Sequence, residues 1–125
     1  MLVLILLLPA CKQKAENFRL LCTGDYLIKN YYTANNQTAE AERVKRQTFE
    51  FIDKKAKGSI PCHIWTEALI ECEEISTVSY DEHDFNVKYN RVTGVLNEYS
   101  LMKRGEYTSE QIFAGQCITV SNKKI

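Results

Sequence analysis

Five cysteines in a chain of 125 residues constrain the possible folds more than any other feature of this sequence. The first, Cys11, directly follows an uncharged apolar run. The other four form an even set, which suits paired disulfides in an oxidising compartment. They are Cys22, Cys62, Cys72 and Cys117.

These four cysteines permit three disulfide connectivities. Cys62 and Cys72 are close in sequence and flank a candidate bend at "WTEA" (65–68), whereas Cys22 and Cys117 lie near the two ends of the chain. We therefore favour Cys22 with Cys117 and Cys62 with Cys72 over the other two connectivities. Zinc is the competing use of four cysteines, but the chain has no Cys-x-x-Cys spacing. We expect no metal site and no cofactor.

The first ten residues, "MLVLILLLPA", carry no charged or polar side chain and are followed at once by "CKQK". As a helix this run spans about 15 Å, half of the roughly 30 Å hydrocarbon core of a bilayer, so it is too short to be a transmembrane helix. The run fits the hydrophobic region of a signal peptide instead.

The end of this run, Leu8-Pro9-Ala10-Cys11, resembles the lipobox of bacterial lipoproteins. The resemblance implies cleavage before Cys11 and lipidation of that residue, and multiple acyl chains would anchor the protein stably. Because Lys12 rather than an acidic residue follows the anchor, the resemblance favours an outer-membrane protein that faces the periplasm over the two alternatives, the inner membrane and the cell surface. We expect a signal peptide over 1–10, a lipidated tether over 11–17 and a single β domain over 18–125.

Alternation of apolar and polar residues indicates strands in the second half of the chain. In "DFNVKYNR" (84–91), Phe85, Val87 and Tyr89 share one face and polar residues occupy the other. Gly94 and Gly105 suit the positive φ of the turns that follow. "QIFAGQCITV" (111–120) is the last strand, and four of its residues share a face: Ile112, Ala114, Ile118 and Val120.

Five further segments are strand candidates: "FRLLCT", "DYLIKNYYT", "TFEFID", "ALIECEEI" and "VLNEYSLM". The segment "TAEAERVKRQ" (38–47) is rich in helix formers and predicts either one short helix or a solvated loop between strands. The predicted fold is therefore mainly β. It is a small antiparallel β-meander or partly closed barrel, stapled by two disulfides, with at most one short helix.

Two short motifs carry a second resemblance. "NRVTGVL" (90–96) and "FAGQC" (113–117) are similar to motifs of small secreted or lipid-anchored bacterial proteins of unknown function. The resemblance covers roughly the last third of the chain. It implies an antiparallel β-meander and no particular activity.

The best candidate for catalysis or metal binding is "DEHD" (81–84), where an imidazole and three carboxylates are adjacent. Catalysis would need further groups from elsewhere, and His63 is the only other histidine. The simpler interpretation is a polar turn that enters the strand at Phe85. A nucleophile pair of Cys62 with His63 is disfavoured, because adjacent strand residues point to opposite faces. We predict that the protein is not an enzyme.

Sixteen basic and sixteen acidic residues leave no formal net charge, which disfavours nucleic acid as a partner. The expected partners are the membrane, through the lipid on Cys11, and an envelope protein. The sequence predicts a lipid-anchored envelope lipoprotein that acts as a non-catalytic binding or interaction module. The alternative is a periplasmic inhibitor or immunity-type protein that blocks an enzyme or toxin.

Overall fold

A computed structural model describes residues 17–78 and 81–120. The predicted signal peptide, Cys11 and nearly all of the tether lie outside these described residues. Within the two ranges the chain forms strands and no helix, and hence no helix that is long and apolar enough to cross a membrane. The strands are β1 (Phe18–Tyr32), β2 (Gln37–Ile52), β3 (Lys55–Ala56), β4 (Ile60–Trp65), β5 (Leu69–Val78), β6 (Asp81–Asn90), β7 (Val95–Arg104) and β8 (Tyr107–Val120).

Each strand pairs antiparallel with the next one along the chain, and β8 returns to pair with β1. The sheet is therefore a closed ring with meander connectivity, which confirms the predicted fold class. The candidate segments "FRLLCT" and "DYLIKNYYT" belong to the single strand β1, except for Thr33 at the end of the second segment. They join at Gly24, which faces Gly115 of β8. A Cβ on Gly24 would overlap the backbone carbonyl of Ala114, so the two strands approach too closely there for any other residue.

Both interpretations of "TAEAERVKRQ" are wrong, because residues 38–47 form part of β2 and pair with β1 along their whole length. Most of these side chains are exposed on both faces of the strand. Pairing with the long strand β1 therefore overrides the helical preference of Ala, Glu, Lys and Arg. The exposure also explains why the segment lacks the alternation that indicated the other strands.

The ring is complete at one end only, because β3 and β4 are short. β3 has two residues and lies between two tight turns, one with positive φ at Asp53 and Lys54 (54° and 61°) and one at Lys57 and Gly58 (51° and 84°). β3 and β4 connect β2 to β5 beside the Cys62–Cys72 disulfide and the adjacent turn. Beyond them, and among the residues that the structure describes, residues 37–49 of β2 pair only with β1, and residues 73–78 of β5 pair only with β6. The sequence patterns indicated neither β3 nor β4.

The apolar core fills this closed end. Its largest fully buried side chains are Phe49, Phe51, Phe113, Leu20, Ile70, Leu96 and Val87. Phe18 stacks on Phe51 with ring centroids 5.1 Å apart, and Trp65 and Tyr89 pack around this pair at 6.0–6.3 Å. Aromatic residues thus seal the end of the ring where β3 and β4 complete it.

The predicted faces of two strands have different outcomes. Val87 and Tyr89 are buried and Phe85 packs against the core, as the alternation in β6 predicted. In β8 the four residues that include Ile112 do share a face, but it is the outer face. Phe113, rather than Ile112, is buried at 1% exposure, whereas Ile118 is 63% exposed.

Both predicted disulfides are confirmed. Cys22 of β1 lies directly opposite Cys117 of β8, and Cys62 of β4 lies directly opposite Cys72 of β5. The first disulfide joins residues 95 apart in sequence and links the first strand to the last. The second joins residues 10 apart and holds β4 against β5.

The motif at residues 90–96 forms the turn between β6 and β7. The Asn90 side-chain oxygen accepts hydrogen bonds from the backbone N–H groups of Val92 and Thr93, at 2.9 and 3.0 Å. Gly94 has the positive φ that was predicted, 80°, and its carbonyl accepts a hydrogen bond from the N–H of Cys117 at 2.8 Å. This turn therefore holds the strand segment that carries Cys117.

The second motif, at residues 113–117, is explained by its packing. The ring of Phe113 lies over Gly115, where a Cβ atom would come within 2.7 Å of the ring carbon Cζ. Gly115 thus leaves room for a buried Phe113, and Cys117 points inward to its disulfide partner. Both motifs are accounted for by closure of the sheet.

Replacing Cys22 and Cys117 together with alanine is expected to lower the free energy of unfolding by about 4–5 kcal/mol, against about 2–3 kcal/mol for Cys62 and Cys72. The long link restrains the larger loop of the unfolded chain, because its cysteines are 95 residues apart rather than 10. Denaturation in guanidinium chloride under non-reducing conditions measures both losses. Equal losses for the two cysteine pairs, or a larger loss for Cys62 and Cys72, would contradict this expectation.

Candidate functional site

The open end of the ring exposes the inner face of the long strands. We call this region the open concave surface and define it by inward-facing residues of β1, β2 and β6–β8 at the edge of the apolar core and beyond it. Strand register assigns these residues to the same face as buried Leu20, Phe49 and Val87. They are Tyr26, Asn30, Arg43, Lys45, Gln47, Phe85, Glu98, Tyr107 and Gln111.

A buried carboxylate lies where the core meets this surface. Glu98 of β7 is 9% exposed, and its register neighbours are Val87 and Phe113. Its partner is Lys57, in the turn after β3, with Nζ 2.7 Å from Oε2. Lys57 Nζ also lies 4.8 Å from the ring centroid of Phe85. Lys57 thus reaches across the interior from the closed end and neutralises a carboxylate that would be costly to bury alone.

Tyr26 is the second polar group of this surface. Its hydroxyl donates a hydrogen bond of 2.7 Å to the side-chain oxygen of Gln111. Burial, and then the nearby Glu98 carboxylate, raise the pKa of Tyr26 above its ordinary value, against a smaller opposing effect of Arg43. The Tyr26 phenol therefore stays neutral and remains a donor at physiological pH. Lys45 Nζ lies 4.1 Å from the centroid of the same ring, in a cation–π contact.

Gln47 supplies a hydrogen-bond donor that is not used within the described part of the chain. Its side-chain nitrogen is buried and has no hydrogen-bond partner there. Gln47 faces Cys22 across the β1–β2 pair, next along the inner face of β2 to Lys45 and Arg43. A buried donor without a partner costs about 1–3 kcal/mol. A ligand atom would recover that energy if the Gln47 amide turned out of its buried position to donate to it. The β2 side of the surface thus combines a spare donor with two cations.

Aromatic side chains form the outer rim of the open concave surface. Tyr32 and Tyr107 pack with their ring centroids 4.9 Å apart, and the Tyr107 hydroxyl donates to the side-chain oxygen of Asn30 at 3.1 Å. Tyr32 is 46% exposed. Such rings provide apolar contact area with a polar edge, which suits binding more than core packing.

The "DEHD" residues do not form the turn that was one interpretation of them, because β6 begins at Asp81 and all four lie in the strand. Their side chains therefore alternate between the two faces. Asp81 pairs with Arg104 of β7 at 3.4 Å. Within 17–78 and 81–120, no group of three or more His, Cys, Asp and Glu side chains is placed to hold a metal ion.

The structure does not bring the two histidines together. His63 lies next to Cys62 on β4, with Nε2 4.0 Å from a carboxylate oxygen of Glu71. His83 lies on β6 opposite Ser76, four residues beyond the position of Cys72 along β5. Cys62, the one candidate nucleophile considered, is oxidised in its disulfide with Cys72.

The chain was compared with protein-family models, with curated proteins and with solved structures, and no match is found in any of the three.

The residues that compose the site carry little signal in the sequence. Arg43 and Lys45 belong to the basic stretch "RVKR", which acidic residues offset in the charge count. Glu98 lies in β7 and Lys57 lies in the turn after β3, 41 residues away. No local sequence pattern relates the two residues. Only the ring geometry brings these groups to one surface.

Replacing Lys57 with Met is expected to lower the free energy of unfolding by about 2 kcal/mol, because Glu98 loses its cation while staying buried. Adding Glu98→Gln should recover part of that loss, since the remaining group is neutral. Urea denaturation of the single and double variants measures the coupling. Lys55→Met, at an exposed residue two positions away, is the matched control and should cost under about 0.5 kcal/mol. Equal losses in the Lys57 and Lys55 variants would contradict this account.

Proposed function

We propose that the protein is a lipid-anchored, non-catalytic binding module of the bacterial cell envelope, and that the open concave surface is its binding site. One observation supports this location of the binding site more than any other. The buried, unpartnered amide nitrogen of Gln47 lies beside Lys45 and Arg43 on a surface that is open at one end. Binding sites are typically concave, with apolar walls and a few well-placed polar groups.

The chemistry of this surface favours a ligand group that accepts hydrogen bonds and carries negative charge. Lys45 and Arg43 attract such a group, and Gln47 donates to it once its amide turns toward the open end. The neighbouring Tyr32 and Tyr107 rings offer contact area to an apolar portion of the same ligand. The Glu98 carboxylate is already paired with Lys57, so it does not compete for the cations on β2.

The membrane anchor of the proposal depends on Leu8-Pro9-Ala10-Cys11, which lies outside the described residues. Two disulfides in the folded domain support an oxidising compartment such as the periplasm. An outer-membrane protein with its folded domain in the periplasm fits both features.

The binding site is tested by capture from the detergent-solubilised envelope of the source bacterium. The Lys45→Glu variant should capture at least tenfold less of any partner that the wild-type protein captures, because the substitution reverses the charge beside the unpaired Gln47 donor. Lys88→Glu is the matched control, since Lys88 is exposed on the outer face of β6. Thermal unfolding confirms that both variants fold. Equal capture by the two variants would exclude the open concave surface.

The identity of the captured partner separates the two functional classes. An enzyme or toxin whose activity falls on addition of the wild-type protein, and not of Lys45→Glu, would replace the binding-module proposal with an inhibitor or immunity function. A structural envelope component or an anionic small molecule would support the proposal as stated.

Lipidation is tested on the whole chain. Expressed in a bacterium, the protein should partition into detergent and carry diacyl or triacyl mass on Cys11, since two or more chains anchor stably. Cys11→Ser should remain unprocessed or become soluble in the periplasm. Mass spectrometry of the mature amino terminus measures both. A mature wild-type protein with a free Cys11 thiol would contradict the anchor while leaving the binding site untouched.

A further inference from the structure

Between the two cations of β2 and the tyrosine rim, the inner face of the open end is mostly polar. Strand register places two neighbouring rows of side chains there, across β1, β8 and β7. We call these rows the polar floor, formed by Ile28, Gln111 and Ser100 in one row and by Asn30, Ser109 and Met102 in the next. All six are buried or half-buried, and four of them carry amide or hydroxyl groups. An apolar lining therefore does not extend from the core to the rim.

The polar floor offers hydrogen-bond donors that the protein itself does not use. The Tyr26 hydroxyl donates to the side-chain oxygen of Gln111, and the Tyr107 hydroxyl donates in the same way to Asn30. Both hydrogen bonds occupy amide oxygens, so within 17–78 and 81–120 the two amide nitrogens are left to donate. Ser109 is 5% exposed, and its hydroxyl forms no hydrogen bond in this part of the chain. The one fully buried, unpartnered side-chain atom described lies elsewhere, so the Ser109 oxygen stays accessible to a ligand.

These donors favour a ligand that carries hydroxyl groups. A hydrocarbon chain on the floor would cover the donors without accepting from them, and each unpaired buried donor costs free energy. An extended peptide would accept through its carbonyl groups, but its own N–H groups would find few acceptors there. A hydroxyl both accepts and donates, so a row of hydroxyls satisfies the floor at every position. The C–H faces of sugar rings also suit Ile28 and Met102, the two apolar residues of the floor.

The spacing of the cations and the tyrosine rim sets the length of this ligand. Arg43 faces Tyr26 across the β1–β2 pair, and Tyr32 lies six residues farther along β1. At about 3.3 Å per residue, the cations and the rim are about 20 Å apart. The polar floor fills this interval. A ligand that uses all three parts is therefore a short chain of sugars, with its last rings packed on Tyr32 and Tyr107.

The unpaired charges of the inner face give the ligand a direction. Two inner-face carboxylates are already paired with cations, Glu98 with Lys57 and Asp81 with Arg104. Glu74 of β5 has no such pair within the described residues, and it opposes an anionic ligand. It lies on the far side of the open sheet, with β1, β8, β7 and β6 between its strand and β2. An acidic group on the ligand is therefore drawn toward Lys45 and Arg43 and away from β5.

We propose that the ligand of the open concave surface is an acidic oligosaccharide. Its carboxylate lies at Lys45 and Arg43, and its remaining sugar units follow the polar floor toward the tyrosine rim. This inference rests on the proposed function, because it assigns a ligand class to the same surface.

Calorimetric titration of the full processed chain, in a detergent without a sugar headgroup, tests the inference. The probes are short oligosaccharides that contain galacturonate, glucuronate or muramate, each compared with its neutral methyl ester. At least one acidic oligosaccharide should bind, and its ester should bind at least tenfold more weakly, because the ester lacks the charge that Lys45 and Arg43 attract. In Lys45→Met, the acid should lose most of this advantage over the ester.

Two substitutions on β8 separate the polar floor from the rest of the sheet. Ser109→Ala should weaken binding of the acid by about fivefold without changing its advantage over the ester, because both ligands lose the same hydrogen bond. Thr108→Ala is the matched control and should leave both affinities unchanged, since the neighbouring residue lies on the outer face. Thermal unfolding confirms that the variants fold.

The outcomes distinguish this inference from the function on which it rests. Binding of no acidic oligosaccharide, equal binding of acid and ester, or an equal effect of Ser109→Ala and Thr108→Ala would each overturn the inference. Tighter binding of dodecanoate or hexaglutamate, which carry their charge on an acyl chain or a peptide, would also overturn it. If Lys45→Met abolished that binding, the open concave surface would still be the binding site. The binding site itself fails only if Lys45→Glu captures partners as well as Lys88→Glu does.

Discussion

The pairing of the first strand with the last is the constraint on which the rest of the structure depends. β1 and β8 lie side by side over fourteen register pairs, and Cys22 and Cys117 bond covalently between them. Next to the disulfide, Gly24 faces Gly115, and the missing side chains let the two backbones approach. Because Cys117 must point inward to reach Cys22, the inner face of β8 is decided at this residue. Phe113 is then buried, whereas Ile118 faces solvent.

Closure at one end only divides the molecule into two chemically different halves. The two tight turns around β3 leave it just two residues long. β3 and β4 therefore connect β2 to β5 only beside the Cys62–Cys72 disulfide. Beyond that point, no strand of the described part of the chain lies between β2 and β5. Apolar and aromatic side chains fill the closed end. The open end keeps polar groups such as Tyr26 and Gln111, and Lys57 links the two halves by reaching the carboxylate of Glu98.

Apart from the Cys22–Cys117 disulfide, the parts of the fold that were predicted correctly are those with a local signal. Alternation placed Phe85, Val87 and Tyr89 on the inner face, and Gly94 marked a turn by its need for positive φ. The prediction for residues 38–47 was wrong, because a solvated strand held by its neighbour has the composition of a helix or a loop. β3 was not predicted, because a strand of two residues between turns is too short to show any alternation of apolar and polar residues.

The sequence by itself determined the class of fold and the turns at Gly94 and Gly105, because strand alternation and the backbone freedom of glycine are local properties. The number and spacing of the cysteines favoured one disulfide connectivity, but strand register places Cys22 opposite Cys117, 95 residues away. The tertiary structure alone decided which face of β8 is buried and which charges meet. Lys57 and Glu98 are 41 residues apart, and Tyr26 and Gln111 are 85 apart. Contacts between such distant residues arise from strand register and ring closure, and these leave no periodic trace in the chain.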